Sequence, residues 1–132
     1  MFEDADIVHR YTRAQAIADD VLVDVTSTGR EAGFKIPVAL TAAVWADCVE
    51  WTERDTEESG TPQDESGRLW DVLWMAGLAA RQHRNGNSRR VQFEILRVEC
   101  GRRRATRAVL VMEIGSGDEG EPVLTIMQPG ED

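Results

Sequence analysis

Cys48, Cys100, His9 and His83 are the nitrogen and sulfur ligands of this chain, and four such residues are what a tetrahedral zinc site requires. Their placement does not follow that chemistry. Zinc fingers, ribbons and zincins bring their ligands in close pairs, whereas these four lie far apart in sequence. The reading is no metal and no cofactor, with both cysteines as reduced, buried thiols. Nucleophilic catalysis needs a nucleophile beside a base that a third group orients. No Ser, Thr or Cys here sits in such a signature. Gly115-Ser116-Gly117 lacks the G-x-S-x-G pattern, and its acidic flank reads as a hairpin loop. Neither a phosphate-binding P-loop nor a G-x-G-x-x-G at a strand–helix junction occurs. Carboxylates are everywhere, so a pair such as Asp24 and Asp71 is weak evidence for acid–base work. Asp71 interrupts an apolar stretch and is either a perturbed site residue or a structural Asp, facing water or paired with an arginine of the 89–107 block. The structural reading is preferred, and no catalytic residue is assigned.

Charge is the stronger signal. The 132 residues carry a formal net charge of −9. Residues 1–80 hold sixteen acids and six bases, residues 81–107 nine arginines and two acids, and residues 108–132 six acids and no base. The acid excess argues against direct nucleic-acid binding by the whole domain. Arg89, Arg90, Arg102, Arg103, Arg104 and Arg107 form a local basic patch. It lacks the interleaved aromatics that a single-strand binder uses, so pairing with the protein's own acids ranks above phosphate contact. The acids with the clearest claim to a partner are Glu53, Asp55, Glu57, Glu58, Asp64 and Glu65. They fall in a polar segment, about 53–66, that reads as an exposed acidic loop.

The elements that must position these groups belong to one domain over 1–132. Thr12 caps a first helix to Asp20, and Val21–Val25 reads as a strand. A connector from Ser27 is expected to stop at Gly33. Pro37 opens a helix to about Glu53, with Leu40, Val44, Cys48 and Trp51 in one stripe. Gly67–His83 is apolar nearly all round and is expected to be the central core helix, with Trp70 and Trp74 one turn apart and Ser66 or Thr61 as its cap. A turn comes next, at 84–88. Strands are expected at 91–98, with a bulge near Leu96, at 108–114 and at 123–127. The fold class is α+β, with three to four helices on one face of a small, mainly antiparallel sheet. No apolar run approaches the roughly 20 residues that span a bilayer, and the acidic start lacks the marks of a signal peptide, so a cytoplasmic location is expected.

The stretches Tyr11–Val25, Pro37–Thr41, Asp64–Met75 and Gly117–Ile126, taken together, resemble a bacterial family of unknown function carried on plasmids, prophages and integrative elements. The resemblance implies an accessory gene of mobile DNA and brings no assigned catalytic residues. On it rests the expectation of a non-enzymatic, protein-binding accessory protein, such as an inhibitor of a host CRISPR or restriction complex. Its carboxylates would sit where that complex expects phosphates. Two other classes stay open. One is a small enzyme, such as a transferase modifying a host protein, with Tyr11, Arg13 and Asp24 converging in a pocket. The other is a dimeric structural or regulatory module built through the Trp-bearing helices.

Overall fold

Val38, Ala39 and Leu40 are fully buried, and a run that is apolar on both faces suits a strand flanked on both sides. They form β2 (Val38–Thr41), between β1 (Leu22–Asp24) and β5 (Pro122–Met127). In this computed structural model, which describes residues 11–83 and 88–131, five strands make one sheet in the order β1-β2-β5-β4-β3. β3 is Arg90–Val98 and β4 is Ala105–Ser116. β3, β4 and β5 form an antiparallel meander, β2 lies parallel to β5, and β1 closes the far edge antiparallel to β2. The domain is thus α+β with a mostly antiparallel sheet.

The described residues form five α-helices, more than the three to four expected: α1 (Arg13–Ala18), α2 (Thr26–Glu31), α3 (Ala42–Val44), α4 (Glu53–Ser59) and α5 (Glu65–Gln82). α3 runs on as a π-helix over Trp45–Val49. They do not share one face. Leu69, Val72, Leu73 and Ala76 of α5 pack with Phe93, Ile95, Leu110, Leu124 and Ile126 in the core. Arg13 of α1 donates to Thr125 Oγ1 at 2.7 Å, and Thr125 alternates with Leu124 and Ile126, so α1 lies on the opposite side of the sheet.

Several local expectations hold for physical reasons that the structure makes explicit. Thr12 accepts from the Gln15 amide and Gln15 answers in a capping box. Gly33, after α2, has φ of +105°, which an L side chain adopts only with strain. Others are corrected. The helix expected from Pro37 to Glu53 is instead a strand, then the short α3–π helix. Thr41 makes the break by accepting from the Val44 amide at 3.3 Å. The acidic loop is largely helical. Thr52 and Asp55 form a capping box for α4, and Gly60 ends it at φ +73°. α5 is capped by Asp64, not by Ser66 or Thr61. No bulge interrupts β3, whose pairing with β4 runs unbroken from Arg90↔Glu113 to Val98↔Ala105. Regular alternation therefore continues past Ile95 and turns Leu96 outward. Cys48 is buried but Cys100 is exposed, and both thiols are free. His9 and most of the 84–88 turn fall outside the described residues.

Candidate functional site

The six carboxylates chosen from sequence do not act alike. Asp55 accepts from the Thr52 amide at 2.8 Å and from its hydroxyl at 3.0 Å, and the amide bond foremost holds its carboxyl below the usual carboxylate range. Asp64 accepts from the Gly67 amide at 2.6 Å as the cap of α5. Glu65 accepts from the Trp51 amide at 3.1 Å, and Glu58 pairs with Arg54 at 2.8 Å. Four of the six thus hold α4 and the start of α5 in place. Glu53 and Glu57 point to water from α4. The acidic surface is real, but it is a helix with structural duties rather than a free loop.

Of the four tryptophans the sequence places most in the core and leaves room for one or two exposed interface anchors, and α5 carries that exception. Trp70 and Trp74 are 36% and 41% exposed, with Met75 beside them. Their rings stack at 5.9 Å between centroids and 21° between planes, and the Arg81 guanidinium lies 5.6 Å from the Trp74 ring. A helix that buries Leu69, Val72, Leu73, Ala76 and Ala79 on one side has filled its core-facing arc. The indoles are what remains for the other arc. Their i, i+4 spacing stabilises the helix locally by a few tenths of a kcal/mol, which does not offset the apolar surface of two indoles left partly in water.

Leu96, 68% exposed, stands on the neighbouring edge strand. Between α5 and β3 runs a groove of about 430 Å³, lined by Asp71, Trp74, Met75, Glu94, Ile95, Leu96 and Arg107. Arg107 faces Glu94 at 3.6 Å. Asp71 is exposed on the rim and, among the described residues, makes no ion pair with the 89–107 arginines. A smaller hollow of about 190 Å³ continues the groove past Asp71 and Leu96 to Cys48, Gln63, Arg68 and Arg97.

The polar end of the groove is built around Arg68, which is only 5% exposed. Its Nε donates to Val49 O at 3.0 Å, and Nη1 donates to Val98 O at 2.9 Å and to Gln63 Oε1 at 3.2 Å. Nη2 donates to Asp47 O at 3.4 Å, and the guanidinium lies 4.7 Å from the Trp51 ring centroid. Asp47 O and Val49 O are carbonyls from the C-terminal end of the π-helix, where positive charge is favoured. Arg68 therefore ties three elements together: the π-helix, the start of α5 and the end of β3. Burial is the main influence that pulls its pKa below the ordinary value. Alongside it, Arg97 grips Asp47 through Nε and Nη2, each at 3.2 Å.

Cys48 opens onto this hollow, but burial, followed by the charge of Asp47, pushes its thiol up to about 12. A thiolate nucleophile needs the opposite environment. The exposed Cys100 thiol is also raised, by desolvation first and then by Asp55. His83 Nδ1 lies 2.9 Å from Ala79 O, at the end of α5. Among the described residues no three His, Cys, Asp or Glu side chains gather as metal ligands.

On the far face of the sheet, Arg13 and Asp24 do meet, in a cleft of about 190 Å³ with Asp118 and Glu121. Tyr11, the third residue expected there, instead donates to Asp19 at 2.9 Å. Arg13 is committed to Thr125 Oγ1 and to Leu124 O at 2.9 Å, and burial lowers its pKa most. Asp118 reaches over from the β4–β5 loop to accept the Arg13 and Ala14 amides at 2.7 and 3.0 Å. This is a clasp on the start of α1.

The chain belongs to the Family of unknown function (DUF6573), whose model matches residues 1–132. No curated protein and no solved structure matches it. No helix among the described residues is long and apolar enough to cross a membrane.

Proposed function

We propose that this chain works by binding another protein and is not an enzyme. The observation that carries the reading is the stacked, half-exposed Trp70–Trp74 pair, with Met75 and Leu96 around one groove. Contiguous exposed apolar side chains rimmed by polar groups suit an interaction site, and Trp is enriched among the residues that dominate binding energy. The stack and the Arg81 contact fix the indoles in advance, so little side-chain entropy is lost on docking. The groups that could have supported catalysis support the same reading, because Cys48 is held as a thiol and Arg13 and Arg68 are consumed by backbone and hydroxyl acceptors.

The partner is a basic protein. Residues 1–80 carry most of the acid excess, and Glu53 and Glu57 present it outward from α4, next to the start of α5. Such a field repels acidic partners and speeds encounter with basic ones. The resemblance to proteins of plasmids, prophages and integrative elements extends the reading. The partner is then a nucleic-acid-handling complex of the host, such as a CRISPR or restriction assembly, which the chain inhibits by occupying its basic surface.

Affinity capture from host lysate tests this if the variants respect the caps. Asp55, Asp64 and Glu65 cannot be reversed without disturbing α4 and α5, so the charge variant is Glu53→Lys with Glu57→Lys, and the aromatic variant is Trp74→Ala. Capture of a nucleic-acid-handling complex, weakened by both variants and by added DNA or RNA, is expected. Capture indifferent to Trp74→Ala would sink the reading. A monodisperse dimer that dissociates on Trp74→Ala would assign the face to a second copy and favour the dimeric module.

A further inference from the structure

We infer that the groove takes its partner as an extended strand added to the free edge of β3, with an apolar side chain seated against Trp74 and a basic side chain meeting Asp71. The inference rests on the protein-binding reading and deepens it. β3 ends the sheet order and pairs on one side only, with β4, over all nine of its residues. In any such strand the amides and carbonyls of alternate residues point outward. Ser88 Oγ takes up the Arg90 amide and carbonyl at one end of β3 and Arg68 the Val98 carbonyl at the other, and between them no strand among the described residues pairs with this edge. Proteins blunt exposed edges with charged side chains, inward-pointing charges, proline, bulges or short length. β3 carries Arg90, Glu94 and the inward-facing Arg97, but it is nine residues long, regular in register, and free of Lys and Pro.

What lies beside that edge decides the occupant. A strand added about 4.8 Å from β3 sends every second side chain toward α5, into the groove where Trp74, Met75 and Ile95 leave room. Residues two apart share that side, so an apolar residue and a basic one at that spacing reach the indole and the Asp71 carboxylate together. Asp71 and Glu94 are balanced by Arg107 on the rim and by Arg81 over Trp74, but the charges are not equally paired. Glu94 has Arg107 at 3.6 Å, whereas Asp71 makes no ion pair among the described residues. A basic side chain is therefore the one that Asp71 favours. Backbone bonds to an edge strand supply affinity with little sequence demand, and the groove supplies the selection.

The test uses the full chain and three kinds of seven-residue probe, each blocked at both ends. One reads Ser-Lys-Ser-Val-Ser-Lys-Ser, so that lysine and valine share one side, one has glutamate in place of each lysine, and the third is the lysine peptide N-methylated either at its lysines and valine or at its serines. Titration is followed by tryptophan fluorescence and by amide protection of residues 90–98. The lysine peptide should bind at least about tenfold tighter than the glutamate peptide. It should lose at least about tenfold on Asp71→Lys or Trp74→Ala, each variant first shown to unfold cooperatively. One N-methylation pattern should abolish binding and the other leave it intact, because only one set of amides can face β3. Equal behaviour of the two patterns overturns strand addition, as does equal binding of the glutamate peptide. A concentration-dependent dimer through 90–98 that the peptide fails to dissociate also overturns it, since the occupant is then a second copy. If neither peptide binds while capture of the cellular partner still depends on Trp74, strand addition is wrong and the protein-binding reading stands. If capture ignores Trp74, that reading is what fails.

Discussion

Replacing Arg68 by methionine keeps the aliphatic stem and removes the charge, and the contacts of the guanidinium set the size of the effect. Val49 and Val98 are buried, and their carbonyls each lose a donor at 3.0 and 2.9 Å. An unsatisfied buried acceptor costs about 1–3 kcal/mol, so the two together cost about 2–6. Loss of the contact over Trp51 adds about 1–2 kcal/mol. Against this, a buried guanidinium no longer has to be stripped of water, which returns a few kcal/mol. The net expectation is a destabilisation of about 3 kcal/mol. With a urea slope of about 2 kcal/mol per molar, the midpoint falls by about 1.5 M. Arg68→Lys should land between the two, because an ammonium keeps the charge but cannot reach the carbonyls of the π-helix and of β3 at once. Equilibrium urea unfolding followed by tryptophan fluorescence and circular dichroism gives the numbers. A methionine variant within about 0.5 kcal/mol of the parent, at unchanged slope, would refute the idea that Arg68 pins the π-helix, α5 and β3 together.

Three further outcomes are expected. Asp118→Ala removes the acceptor of two α1 amides and should cost about 1–2 kcal/mol in the same assay, with faster hydrogen exchange over 13–18; unchanged exchange there would contradict the clasp. Leu96→Lys, on a side chain 68% exposed, should stay within about 0.5 kcal/mol of the parent while weakening partner capture; a large loss of stability would mean that Leu96 is core. Cys48 has a folded pKa raised from 9.0 to about 12, so the unfolded chain releases this proton first. Its contribution is intact below pH 9 and lost at about 1.4 kcal/mol per unit as pH climbs from 9 toward 12. Urea midpoints at pH 8 and 10 should fall less in Cys48→Ala than in the parent, and equal falls would exclude the buried thiol as the cause.

What the sequence disclosed and what it hid divide along physical lines. The capped α1, the glycine stop after α2, the long α5 and the three C-terminal strands all rest on local chemistry: a Thr with a Gln three residues on, a glycine at positive φ, and alternating β-branched residues. β2 was hidden because Val38–Leu40 is apolar on both faces. A two-sided strand and the start of a buried helix then look alike, and only its partners β1 and β5 decide. α4 was masked by its composition, although the Thr52–Asp55 spacing is a capping box that could have announced it. The site was the least legible part. A helix apolar nearly all round implies full burial only if there are neighbours enough to cover it. In a chain of 132 residues the sheet covers one arc, and Trp70 and Trp74 are left outside. That surplus of apolar residues on α5 was visible in the sequence as an anomaly, and its meaning depended on the number of layers. Arg68 gave no signal, since its role depends on carbonyls from residues 47, 49 and 98.

The central claim, that a protein partner seats on α5 and the edge of β3, is tested most directly by hydrogen exchange of the chain alone and in its captured complex. New protection is expected over residues 68–78 and 90–98, with little change over 13–26. Protection confined to the Arg13–Asp24 side of the sheet, with the Trp70–Trp74 face unaltered, would contradict the claim and return attention to that cleft.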